Sequence, residues 1–179
     1  MATTPATPPT TSNPSAQRLD IVVDDSACDP NDLAQCGGVE VTVGGDVRWD
    51  DLVARAVTSG WPGFELLGGA AATVAEAVRG NVERYGEAVA DVVASVRAWD
   101  HADDARRSFA FVECRFTPGG SRFTEALADG RPRYEILDVS FLLQQGDLTA
   151  RVTSAELAGR LGVEVGERVP LADAARATR

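Results

Sequence analysis

The sequence predicts an α+β fold, a mainly antiparallel sheet with helices packed on one side. Three features carry that prediction. Val39, Val41 and Val43 alternate with Glu40 and Thr42, the period of a half-buried strand. Tyr134 to Gln144 is a long run of Tyr, Ile, Leu, Val and Phe, residue types that suit a pleated surface. Between them, Trp49, Leu52, Val53, Ala56 and Val57 recur at helical spacing.

In chain order, residues 1–17 are rich in Thr, Pro, Ala and Ser, and read as a disordered tail ahead of a single domain over 18–179. The tail has neither the basic region nor the apolar run of a secretory signal. Leu19 to Val23 reads as a short strand, and Asp24 to Gly38, rich in Asp, Asn, Pro and Gly, as a loop carrying Cys28 and Cys36. Gly44-Gly45 ends the strand around Val41. Asp46 then caps the Trp49 helix and Gly60 stops it. Ala70 to Val78 is helical by alanine propensity. Val92 to Trp99 reads as a strand and Ser108 to Cys114 as a short aromatic element. Thr153-Ser154-Ala155-Glu156 forms a capping box before a helix that buries Leu157 and Leu161 and stops at Gly162. Pro170 opens a last helix, where its missing amide costs nothing.

The chain has 179 residues and a net charge of −10, so it can bury a core without metal or disulfide and offers no basic patch for nucleic acid or an anionic membrane. All 17 basic residues are arginine, which excludes Schiff-base chemistry and a phosphate-loop lysine. His101 is the single histidine. It sits in the polar run Asp100 to Asp104, read as an exposed turn rather than part of a triad, and a His-rich metal site is excluded; no metal is expected. Cys28, Cys36 and Cys114 lack CxxC spacing and are odd in number, which suggests reduced cysteines with at least one in the core. With no stretch of membrane-spanning length, a cytoplasmic location is expected.

From about Val39 to Asp173 the landmarks Trp49-Asp50-Asp51-Leu52-Val53, Gly63-Phe64-Glu65, Asn81-Val82, Tyr85-Gly86, Val89-Ala90-Asp91, Val96-Arg97-Ala98-Trp99-Asp100, Ser121-Arg122-Phe123, Leu137-Asp138-Val139, Gly146-Asp147-Leu148 and Pro170-Leu171-Ala172-Asp173 follow one another in a set order. In that order the chain resembles the central, flavin-binding part of the UDP-N-acetylenolpyruvoylglucosamine reductases (MurB). The resemblance implies FAD as cofactor. It implies Gly68, Gly69, Thr73, Asn81, Tyr85 and Gly86 as the residues that would line a flavin or replacement ligand, with Glu65 and Asp91 as buried polar groups. Tyr85, Arg122 and Arg115 are the candidates for catalysis.

The departures from the family pattern fall on its chemistry. The family's Gly-x-Gly-Ser-Asn loop has no counterpart in the segment from Arg18 to Gly38. The family's Ser-Gly-Ile-Pro-Gly-Ser-Val-Gly turn, which lets backbone amides approach the flavin diphosphate, aligns with Gly68-Gly69-Ala70-Ala71-Ala72-Thr73-Val74-Ala75-Glu76. Methyl groups stand there in place of glycines, and Glu76 adds negative charge. The family's Tyr-Arg pair falls on Pro118 and Gly119, a family lysine on Thr124, and the sequence ends before the subdomain that supplies the proton-donating serine. Weak flavin binding or none is therefore expected.

A redox-neutral enzyme or small-molecule binder leads, for example in specialised metabolite biosynthesis. The alternatives are an FAD-binding oxidoreductase subunit completed by another chain, or a non-catalytic interaction protein. A homodimer or larger assembly is expected. Asn81, Tyr85 and Gly86 carry two readings, lining a pocket or holding a turn with Tyr85 packed on the sheet. Arg122 either binds an acidic ligand or forms an exposed ion pair. Asp50 and Asp51 are read as surface charges that favour the helix start, and Trp49, Trp61 and Trp99 as core or rim aromatics. The expected pocket lies between the Asn81–Tyr85 turn, the Pro118–Arg122 loop and residues 68–76.

Overall fold

The computed structural model describes residues 21–24 and 38–178. Its elements are β1 (Ile21–Asp24), β2 (Gly38–Gly44), α1 (Trp49–Ser59), α2 (Val74–Gly80), β3 (Glu83–Arg84), β4 (Glu87–Ala88), β5 (Val93–Asp100), β6 (Ala105–Ala110), α3 (Phe111–Cys114), β7 (Tyr134–Gln144), α4 (Ala155–Leu161) and α5 (Leu171–Ala177). Five strands form one sheet in the order β1-β2-β7-β5-β6, with every neighbouring pair antiparallel. The sheet, and the helices packed on one of its faces, are the α+β fold that the periodicities predict.

Strand alternation decides which residues enter the core. Val39, Val41 and Val43 lie opposite Leu143, Phe141 and Val139, and all six are buried. Their neighbours on the other face make polar cross-strand pairs, Thr42 with Ser140 at 2.9 Å and Arg97 with Asp138 at 2.7 Å. Trp49, Leu52, Val53 and Ala56 of α1 and Val74, Ala77 and Val78 of α2 close over the apolar face. Gly45 brings this layer close to the sheet, since a Cβ there would meet the Ile136 carbonyl oxygen at 2.4 Å. A second apolar cluster joins Leu66 to Val152, Leu157, Ala158, Val169 and Ala174. It seats α4 and α5 beside the first.

Several expected boundaries move, each for a tertiary reason. The N-cap of α1 is Arg48 and not Asp46, and no side chain caps it. The Trp49 amide instead donates to the Ala72 carbonyl at 3.1 Å. The second helix begins at Val74 and not at Ala70: Thr73 is extended, pairs with Arg48 in an isolated bridge, and accepts the Glu76 amide at 3.2 Å. Alanine propensity loses there to long-range backbone pairing. Ser154, one residue after Thr153, caps α4 by accepting the Leu157 amide at 3.3 Å. The aromatic element over 108–114 divides into the end of β6 and the single turn α3. Gly60 and Gly162 do stop their helices, both in the left-handed conformation. Residues 1–20 and 25–37, hence the tail, Leu19, Cys28 and Cys36, lie outside the described residues. Cys114 is buried, and burial pushes its thiol up to about 11. His101 is exposed, and none of the described helices is long and apolar enough to cross a membrane.

At the end of β5 the fully buried Asp100 carboxylate receives Arg133 Nε at 3.0 Å and Nη2 at 2.9 Å, and the Ala102 amide at 3.0 Å. The Arg133 hydrogen bonds hold its carboxyl below the usual range, while burial opposes them. Arg133 is partly exposed and also lies 3.2 Å from Glu125, so loss of Asp100 removes its hydrogen bonds without stranding a buried charge. Asp100→Ala is expected to lower unfolding free energy by about 2 kcal/mol, as loss of a hydrogen bond to a charged group does. Urea denaturation at neutral pH measures this, and a loss under about 1 kcal/mol would place the pair among surface bridges.

Candidate functional site

The segment from Trp61 to Thr73 has little regular structure, and aromatic packing fixes it. Phe64 meets Trp49 edge-to-face at 5.4 Å and Phe141 at 5.0 Å, and the Trp49 indole N–H donates to the Leu67 carbonyl at 2.8 Å. This pins the intervening Glu65 inside, 1% exposed. Its Oε2 accepts the Gly63 amide at 2.6 Å, while Oε1 has no hydrogen-bond partner among the described residues.

The turn that follows spends its amides on the chain's own carboxylates. Gly69 N–H donates to Asp50 Oδ1 at 2.7 Å, and Ala72 N–H to Glu76 Oε2 at 3.0 Å. Arg84 Nη1 donates to the Gly68 carbonyl at 2.9 Å, and its guanidinium lies 5.2 Å from the Tyr85 ring centre. Beyond it, Tyr85 and Gly86 form the two-residue loop of the β3–β4 hairpin with φ of 54° and 88°. A hairpin loop of that length takes positive φ at both positions, which glycine tolerates and tyrosine rarely adopts.

Two clefts flank this region. The first, of about 910 Å³, lies between α1 and the end of α5, and Asp50, Asp51, Glu65, Gly68, Gly69 and Arg84 are among its walls. The second, of about 420 Å³, is bounded by Tyr85, Glu87, Asp91, Leu142, Thr153 and Arg168 among others. Glu65 belongs to the first and Glu87 to the second, and both carboxyls are raised. Burial dominates at Glu65. At Glu87 burial, then the Glu65 and Asp91 charges, push the carboxyl up to about 8, and its Oε2 has no partner among the described residues. The Glu87 carboxyl, raised in this way in a cleft of mixed apolar and polar walls, is suited to proton donation near neutrality.

The two clefts divide the residues expected around a single pocket. Gly68 and Gly69 line the first cleft and Tyr85 and Gly86 the second, while the Pro118–Arg122 loop touches neither. Asn81 is structural: its Nδ2 donates to the Thr117 carbonyl at 3.0 Å and its Oδ1 accepts the Ala90 amide at 3.0 Å. Thr73 is a helix cap. Among the described residues Arg122 lines neither cleft and forms no ion pair, stacking 5.0 Å from the Phe109 ring centre, and Arg115 is an exposed left-handed residue after α3. Asp91 is exposed, capping the Ala88 amide at 2.9 Å. Glu87 and Arg84 were not singled out by the sequence, where each is one charge in a hairpin of alternating polarity. Only the turn signal at Tyr85-Gly86 pointed to their neighbourhood.

No family model matches the chain. It is similar to the UDP-N-acetylenolpyruvoylglucosamine reductase of Cutibacterium acnes, 42% identical over 138 residues, covering 77% of this chain and 36% of that one. The Thermobifida fusca enzyme of the same name is 37% identical over 135 residues, covering 75% and 36%, and that of Streptomyces avermitilis 39% over 142 residues, covering 79% and 38%. The chain thus spans little more than a third of the length of these curated relatives. Among solved structures, the MurB reductase of Thermus caldophilus matches with a TM-score of 0.51 and 22% identity, covering 76% of this chain and 40% of that one. The fold is therefore shared with that enzyme.

The raised carboxyls make a prediction for stability. A Glu87 that titrates near 4.5 unfolded and about 8 folded contributes stability that is complete below pH 4.5 and lost as pH rises through 8. Glu65 acts in the same direction. Unfolding free energy is expected to fall between pH 5 and 8.5, and Glu87→Gln to recover roughly 2–3 kcal/mol of that loss at the upper end. Urea midpoints at the two pH values check it. Equal pH slopes in the two proteins would contradict the assignment.

Proposed function

We propose that this chain, a homologue of the UDP-N-acetylenolpyruvoylglucosamine reductases over about three quarters of its own length, works without flavin and handles a small molecule by redox-neutral chemistry. The observation that carries the reading is the pairing of Gly69 N–H with Asp50 and of Ala72 N–H with Glu76. A diphosphate needs free amides and positive charge at such a turn. Here the amides already serve carboxylates, which would repel a phosphate, and the nearby Arg84 is committed to the Gly68 carbonyl. The residues present do not fit an FAD diphosphate, so no hydride step is assigned to this chain.

What remains favours proton transfer. The second cleft has the volume of a small-ligand site, with walls that mix Leu66, Val92, Leu142, Val152 and Leu157 with polar side chains, among them Glu87, whose carboxyl is raised to about 8. Glu87 is the group we assign to donate or remove a proton there. The same reading includes self-association, supported by the exposed apolar side chains of Val22 and Leu142 on the outer sheet face.

Titration of the purified protein with FAD, followed by flavin absorbance and fluorescence, tests the reading. A colourless protein that leaves the flavin signal unchanged is expected, and saturable binding at one flavin per chain would overturn it. Light scattering is expected to give a mass of at least two chains, and a monomer at working concentration would remove the self-association.

A further inference from the structure

We propose that the second cleft binds a small organic acid, with its carboxylate on the guanidinium groups of Arg151 and Arg168 and its carbon chain against Pro62, Val92 and Val152. The inference rests on the reading of this cleft as a flavin-free small-molecule site, and deepens it by naming the class of ligand.

Backbone pairing is the first argument, because it brings together two arginines that are distant in sequence. Residues 149–152 and 166–169 pair as a short ribbon: Thr149 N–H donates to the Val169 carbonyl at 2.9 Å, and Val152 N–H to the Glu167 carbonyl and Gly166 N–H to the Val152 carbonyl, both at 2.8 Å. Each arginine is then anchored to the opposite segment. Arg151 Nη1 donates to the Gly166 carbonyl at 2.9 Å and Arg168 Nε to the Thr149 carbonyl at 2.8 Å, and both side chains line the cleft.

Charge is the second argument. Although the chain carries a net charge of −10, neither Arg151 nor Arg168 forms an ion pair among the described residues. The cleft has two carboxyl groups on its walls, and neither answers them. Asp91 accepts the Ala88 amide at 2.9 Å, and Glu87, pushed up to about 8 by burial first, holds its proton near neutrality. A guanidinium presents five N–H donors in a planar fork, of which the backbone carbonyl takes one, and the fork matches a carboxylate.

The form of the acid follows from the rest of the lining. Burial and the Glu65 and Asp91 charges set the Glu87 carboxyl with no contribution from either arginine, so the arginines stand apart from it. A ligand seated on the arginines therefore needs a carbon chain to reach Glu87. Pro62, Val92 and Val152 supply apolar wall for such a chain, and a cleft of about 420 Å³ suits a small molecule.

Amide NMR of the full chain tests the inference, with pentanoate as ligand, pentylamine as the charge-reversed control and inorganic phosphate as an anion without a carbon chain. Saturable shifts at the Val92, Val152 and Gly166 amides are expected with pentanoate and not with pentylamine. Phosphate, which covers no apolar wall, is expected to bind about tenfold more weakly or less. Arg151 and Arg168 are exposed, so substituting them leaves the core intact. Arg151→Gln and Arg168→Gln are each expected to weaken pentanoate by about tenfold, as loss of a hydrogen bond between charged groups does. Arg106→Gln removes an exposed arginine of β6, outside the cleft, and is expected to leave the affinity unchanged. Non-saturating shifts, equal binding of pentylamine, phosphate as tight as pentanoate, or the same affinity in both cleft variants as in Arg106→Gln would overturn the site. Saturable FAD binding would remove the reading beneath it, whereas a flavin-free protein indifferent to pentanoate would overturn this inference alone.

Discussion

The loop that carries the site has almost no backbone ladder of its own, so its position depends on the buried indole of Trp49. That side chain leads α1, stacks edge-to-face on Phe64, and donates to the Leu67 carbonyl at 2.8 Å. Phe64 passes the contact to Phe141 in the central strand β7. Helix, loop and sheet are thus tied through two aromatic rings and one hydrogen bond. Aromatic pairs of this geometry contribute about 0.5–1.5 kcal/mol beyond their burial.

Pinning Phe64 inside has an electrostatic consequence for the residue after it. Glu65 is carried into the interior, and Thr178 closes over its backbone by donating to its carbonyl at 3.3 Å. The hairpin across from it presents Glu87, whose carboxyl is raised first by burial and then by the Glu65 and Asp91 charges. A fold tolerates such a cost where the groups do something. The same loop ends in the turn at Gly69 to Ala72, where Asp50 and Glu76 sit against amides that face outward from the chain. The carboxylates stand where an external anion would otherwise be received.

The strands around Val41 and Leu143 and the helix from Trp49 were legible because their apolar periods are uninterrupted, and burial simply follows the period. Gly60 and Gly162 were legible because a left-handed stop favours glycine. The starts of α1 and α2 were not, since each is set by the bridge between Arg48 and Thr73, a pairing that local sequence does not encode. The resemblance drew attention to Gly68, Gly69, Tyr85 and Gly86. It placed them around one pocket, whereas the hairpin divides them between two clefts. Asn81, chosen for a pocket or a turn, proved to be the turn, with both ends of its amide used internally. Glu87 escaped notice because its raised carboxyl comes first from burial and then from the Glu65 charge, both of which the fold sets and local sequence does not.

The central claim is that the turn from Gly68 to Ala72 is closed to a diphosphate by the chain's own carboxylates. The most direct measurement is the amide NMR response of Gly69 and Ala72 during titration with ADP. The account predicts that both resonances stay in place to saturating nucleotide, with their hydrogen bonds to Asp50 and Glu76 intact. Saturable movement of the two amides together would show that a diphosphate displaces the carboxylates, and would contradict it.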